Sequence, residues 1–250
     1  MRSPVRALGA TLLLALGLAA AAATTAHAAA RFDGLVLPFR EVVVSSPVQS
    51  TITAMPLKEG DTVKTGDTLA RLFDRIEELD MLRAKAALEK KEFDNKSAAN
   101  LFADKIISED EAMKNRIELD LARLQYEQAV ELFRLRTVTA PIDGLIVERN
   151  REVGETVTAS QPLFRIVDIS RLYVQFYVRA EDAGALRVGQ ILEVRSRVAD
   201  PDRIFSGTVD FIDPRVDAAS GLLRVKILLD NQDTALKPGL RAEVTPPSAP

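Results

Sequence analysis

Residues 46–72 read "SPVQSTITAMPLKEGDTVKTGDTLARL", and residues 140–166 read "APIDGLIVERNREVGETVTASQPLFRI". The second segment repeats the first at an offset of ninety-four positions, without a gap. Pro47 aligns with Pro141, Ile52 with Ile146, Gly60 with Gly154, Thr62 with Thr156 and Val63 with Val157. Further on, Leu69 meets Leu163 and Arg71 meets Arg165, while Asp61 and Glu155 match in charge. Each segment has short apolar–polar alternations broken by turn residues, the pattern of brief strands. The expected turn glycines are Gly60, Gly66, Gly144 and Gly154, which supply backbone angles that other residues resist. Alternating Val, Ile and Leu bury one face of each small sheet. Neither half covers its own apolar face, so the two are expected to close on each other as one β-sandwich.

Working outward, the residues between the halves change texture. From Asp74 to Arg136 Gly and Pro vanish, and Ala, Leu, Glu, Lys and Arg dominate; these are strong helix formers. Ile117, Leu121, Leu124, Leu132 and Leu135 recur at three- and four-residue spacing, with Gln128 in the one polar slot. Leu72, Leu79, Ala86 and Phe93 fall every seven residues, with Ile76 and Leu82 alongside. Between the two patterns, Ser108 and Glu111 form a capping box that starts a second helix. Two antiparallel arms of about 28 residues, roughly 40 Å long at 1.5 Å per residue, are expected to pack through these seams. An insertion that leaves and returns at neighbouring points suits a helical hairpin.

The N-terminus begins with Arg2 and Arg6, continues through an apolar run and reaches the small-residue site Ala26-His27-Ala28. That order is a secretory signal peptide, expected over residues 1–28; the alternative is an uncleaved membrane anchor. Cleavage leaves no His and no Cys, and 31 basic residues against 36 acidic, a net charge of −5. Such a chain lacks the commonest general base, the soft metal ligands and the thiol nucleophile. No nucleophile elbow, Walker-type loop or dinucleotide fingerprint is present. Of four Met, only Met55 and Met81 lie near the β-unit, which does not support a copper site. No catalytic residue, metal or cofactor is expected, and the mild acidity gives no reason to expect nucleic acid.

After Leu172 the pattern is β again. Leu172, Val174, Phe176 and Val178 alternate, "EDAGAL" (181–186) reads as a short helix, and Ile191, Val194, Val209, Phe211, Ile212, Val225, Ile227 and Leu229 supply strands. Turns are expected at Gly189, Pro201-Asp202, Asp213-Pro214, Gly221 and Pro238-Gly239. The implied fold is mixed α and β: a split sandwich, an antiparallel α-hairpin and a small antiparallel β-barrel.

The motifs "MPLKEGDTVKTGDTLARL", "VTAPIDGLIVERNREVGETVTASQPLFRIVD" and "FSGTVDFIDPRVDAASGLLRVKILLDN" come in an order that resembles the periplasmic adaptors of tripartite efflux systems, the membrane fusion proteins. The resemblance implies a lipoyl-like domain in two halves (46–73 and 139–168) around a hairpin (74–136). It further implies a β-barrel from 32–45 and 171–245, and a flexible tail at 246–250. The membrane-proximal domain of the drug-efflux adaptors is expected to be missing. A swinging-arm carrier is not indicated, because the hairpin stands where the carrier's modified lysine would be; Lys58 and Lys64 read as solvated. By resemblance, the hairpin tip docks an outer-membrane channel through Leu101, Ile106, Ile107 and Ser108; alternatively Leu101 is hairpin core and Ser108 only a cap. A second stripe of Leu119, Ala122, Tyr126, Ala129 and Phe133 is either a protomer interface or a wide core face. The implied role is a non-catalytic adaptor in the periplasm of a Gram-negative bacterium. It would form a ring (trimer or hexamer) between an inner-membrane exporter, of resistance-nodulation-division (RND) or ATP-binding-cassette (ABC) type, and an outer-membrane channel. The alternative is a periplasmic scaffold or chaperone-like binding protein.

Overall fold

A computed structural model describes residues 31–245, except 197 and 199. The expected signal peptide (1–28) and tail (246–250) lie outside the described residues. In chain order the elements are β1 (Phe32–Ser45), β2 (Ser50–Ala54), β3 (Thr62–Val63), β4 (Thr68–Leu72), α1 (Arg75–Ala103) and α2 (Glu109–Arg134). There follow β5 (Thr137–Thr139), β6 (Gly144–Arg149), β7 (Thr156–Val157), β8 (Pro162–Arg179), β9 (Ile191–Ser196), β10 (Asp200–Ile212), β11 (Leu222–Asp230) and β12 (Arg241–Thr245).

The repeat folds into one sandwich by exchanging strands. One sheet runs β5-β4-β2-β7, and the other ends in β8-β6-β3 with β1 on the far side of β8. Each sheet therefore contains strands from both halves. Hydrogen bonds obey the offset of the sequence. Gly60 N donates to Ile146 O and Gly154 N to Ile52 O, both at 2.9 Å. Ile52 N reaches Glu155 O, and Ile146 N reaches Asp61 O. The Asp61 carboxylate accepts from Lys58 N as Glu155 does from Glu152 N. Ile52, Leu69, Leu72, Ile146, Leu163, Phe164 and Ile166 form its core, each essentially inaccessible to water.

The second body is a closed six-stranded antiparallel barrel, β1-β12-β9-β10-β11-β8 and back to β1. Leu172, Val174, Phe176 and Val178 point into it, together with Leu192, Val194, Val225 and Ile227. Ile191 and Phe211 point outward instead; Phe211 follows a register shift in β10 that turns its side chain over. The turn expected at Pro201-Asp202 is part of strand β10, at a register irregularity between Asp200 and Ile204. Proline is tolerated there because a bulge needs no ladder donor.

Strand β1 corrects the expected assignment of 32–45 to the barrel. Its first half, through Pro38, pairs with β8 up to Leu172; its second half, Arg40 to Ser45, pairs with residues 162–168 in the sandwich. Val44 is in the sandwich core. Val43-Val44-Ser45 is in fact the partner of Thr137-Val138-Thr139 at the same offset. Between the two halves of β1, Phe39 faces three residues of β8, Ile169 to Arg171. The chain leaves the repeat after Leu72 for the hairpin and after Ile166 for the barrel. Both attachments are thus made at equivalent points.

Candidate functional site: the exposed faces of the helical hairpin

The hairpin's seam is not where apolar periodicity placed it. On α2 a line of less exposed residues runs through Ala112, Asn115, Leu119, Ala122, Tyr126, Ala129 and Phe133, spaced alternately by three and four, with Glu118 and Val130 beside it. On α1 the matching line is Glu77, Met81, Ala84, Leu88, Lys91, Asn95 and Ala98, with the same spacing and with Glu78, Asp94 and Ser97 beside it. This is the 3.5-residue period of two helices packed along a seam. Leu119, Tyr126 and Phe133, expected as either a protomer interface or a wide core face, are half-buried within the hairpin, as the second alternative has it. The stripe expected to form the seam lies about half a turn away. Ile117, Leu121, Leu124, Leu132 and Leu135 on α2 are exposed, as are Ile76, Leu79, Leu82 and Phe93 on α1. Phe93 is 71% accessible and Leu124 61%. Only the first stripe departs from its expected place.

The seam itself is thin. Only Ala98 and Ala122 are fully buried in it, and one turn is closed by an ion pair, Lys91 Nζ to Glu118 Oε2 at 2.6 Å. That hydrogen bond raises the Lys91 pKa and lowers that of Glu118 from the ordinary values. The large apolar side chains stay 39–71% exposed, so each forgoes roughly half of the about 1.5–3 kcal/mol that full burial would contribute.

At the tip, Ser108 Oγ accepts from Glu111 N, which starts α2. Leu101 and Ile106 are exposed and Ile107 is half-buried. Lys105 holds a left-handed φ of 58° that lets Ile106 N reach Leu101 O at 2.8 Å. Phe102, 44% exposed beside Leu101, belongs to the same apolar cap and was missed; its proximity to Ile106-Ile107 in "LFADKII" was the available signal. At the base, Leu72 N donates to Arg136 O and Phe73 N to Thr51 O. The Arg136 guanidinium pairs with Glu77 and donates to Gln49 O. The hairpin is thereby tied to the sandwich.

Of the four glycines expected at turns, Gly60, Gly66 and Gly154 have φ between 90° and 94°. Gly144 does not; it opens β6, and a Cβ there would lie 2.5 Å from Val167 O. No group of three or more His, Cys, Asp or Glu among the described residues is placed to hold a metal ion. No described helix is long and apolar enough to cross a membrane.

Comparison with known proteins agrees with this architecture. Residues 40–169 match the family model "RND MFP, barrel-sandwich hybrid domain", and 171–249 match "CusB-like, beta-barrel domain". The nodulation protein NolF of Rhizobium meliloti is 30% identical over 84% of this chain and 61% of its own. The cobalt-zinc-cadmium resistance protein CzcB of Cupriavidus metallidurans is 26% identical over 76% of this chain and 39% of its own. This chain therefore spans only 39–61% of those two relatives' length. A MacA-MexA chimera carrying the Pseudomonas aeruginosa MexA α-hairpin has a TM-score of 0.76 at 22% identity, covering 86% of this chain and 79% of its own. The chain belongs to the membrane fusion protein family of tripartite RND efflux systems.

Proposed function

We propose that this protein is a periplasmic adaptor, not an enzyme, that couples an inner-membrane exporter of the RND type to an outer-membrane channel. Copies stand side by side in a ring, with the outer face of α2 in one copy against the outer face of α1 in the next. The observation that carries this reading is the pair of exposed apolar stripes on opposite sides of a hairpin whose own seam is small and partly polar. A contact between two different faces repeats by rotation and closes as a ring, trimeric or hexameric. The tip residues Leu101, Phe102, Ile106 and Ile107 would meet the channel. The relatives' names cover nodulation, metal resistance and multidrug resistance, which argues that cargo choice lies outside the shared architecture.

The decisive experiment replaces Leu121 and Leu124 with Glu and measures native mass and export together. The expected outcome is loss of the ring and of export while the melting temperature stays within about 2 °C, since both residues already face water. A ring that persists in the double variant refutes the proposed faces. Leu101→Glu with Ile106→Glu should leave the ring intact and abolish cross-linking to the channel.

A further inference from the structure

Where the sandwich meets the barrel, beside the Phe39 irregularity, a cleft of about 1060 Å³ opens between the two bodies. Its wall is apolar: Pro38, Leu145, Val147, Val167 and Ile169 all line it, and Val147 is left 38% exposed. The far wall is the loop after β11, held open by Asn231. This side chain is 1% accessible; its Nδ2 donates to Ile169 O and Leu236 O, and its Oδ1 accepts from Leu236 N. All three hydrogen bonds fix the loop that carries Lys237, so the cleft is preformed.

The charges around it are unevenly engaged. Every acid that lines the cleft already has a partner. Glu41 bonds Arg165 at 2.5 Å, Asp143 accepts from Thr65 N and Oγ at 2.6 and 2.8 Å, and Asp168 accepts from Ser170 N and Oγ at 3.1 and 2.6 Å. The Thr65 bonds hold the Asp143 carboxyl below its ordinary pKa, so it stays anionic and occupied. The cations differ. Arg40 lies 5.0 Å from the Phe39 ring, and Arg40 and Lys64 are near enough to Asp143 to help lower its pKa without a direct ion pair, while Lys237 has no hydrogen-bond or ion-pair partner among the described residues. An apolar wall between two bodies, rimmed by donors that form no direct ion pair, is the usual form of a small-molecule site.

We propose that this cleft binds an amphiphilic organic anion, its apolar body against Val147, Ile169 and Pro38 and its acidic head met by Lys64 and Lys237. The site draws on both bodies, so its occupant spans the joint made by β1 and β8. Neither the hairpin contacts nor the ring requires it.

The test uses the full chain and two probes, 1-anilinonaphthalene-8-sulfonate for an aromatic body and dodecanoate for an acyl body. Absence of Trp leaves the fluorescence of the first free of tryptophan emission; the second is read by displacement. One probe should bind saturably with one site per chain, and dodecyltrimethylammonium should fail to displace it. Lys64→Gln with Lys237→Gln should weaken binding about tenfold, as expected for two exposed ionic contacts, and Val147→Glu at least as much. The stronger of the two probes identifies the body the cleft prefers. Unchanged affinity in both variants, or equal displacement by the cationic surfactant, overturns the proposal. So does loss of self-association in Val147→Glu, which would make the cleft a contact with a second copy.

Discussion

Gly144 and Gly154 should respond very differently to the same added methyl group. At Gly154 a Cβ would meet nothing within 4 Å, so Gly154→Ala carries only the cost of a φ of 94°, about 1 kcal/mol. At Gly144 the φ is permissive, but the Cβ would stand 2.5 Å from Val167 O, 2.9 Å from Val167 C and 3.0 Å from Ile166 Cγ2. Two of those atoms are backbone of β8, the strand that holds sandwich and barrel together. Relief requires β6 and β8 to part, an overpacking cost of about 3 kcal/mol. The repeat explains the asymmetry. Ser50, the counterpart of Gly144, reaches Phe73 O with its Oγ at 3.3 Å, because β4 ends at Leu72 and the chain turns into α1. At the corresponding place β8 runs straight on past Val167 into the barrel. In a chain of this size thermal denaturation should register about 2–4 °C for Gly154→Ala and about 6–12 °C for Gly144→Ala. Equal losses, or a smaller one at Gly144, would refute the packing reasoning.

Other expected outcomes follow from single sites. Ser160 has a φ of 66° where its repeat partner Gly66 has 94°, so Ser160→Gly should be neutral or stabilise by up to about 1 kcal/mol in chemical denaturation. Arg136→Met removes the pair with Glu77 and the bond to Gln49 O; limited proteolysis within 74–136 should accelerate, with the barrel unaffected. Asp143 has a lowered pKa because Thr65 N–H and Oγ–H bond its carboxylate. Its contribution is full above the ordinary Asp pKa and is lost as pH falls through the lower folded value. The drop in melting temperature between about pH 5 and about pH 2 should therefore be smaller in Asp143→Asn than in the parent chain.

What the sequence determined by itself was local or repeated. The offset of ninety-four located the two halves of the sandwich and their matched turns, since a turn glycine such as Gly60 or Gly154 and an acid such as Asp61 or Glu155 encode their own hydrogen bonds; the exchange of strands between the halves and the share of β1 in the sandwich came only with the fold. Ser108 and Glu111 likewise fixed the start of α2. What an apolar stripe faces is a different matter. Leu121 and Leu119 both lie on a helical period, and only the approach of α1 decided that the second is covered and the first left in water. Gly144 and Phe39 were equally silent, because the close passage of β8 and the division of β1 between two sheets arise from strands distant in sequence. Periodicity reports that a face is apolar; the neighbour that covers it is chosen only when the chain is folded.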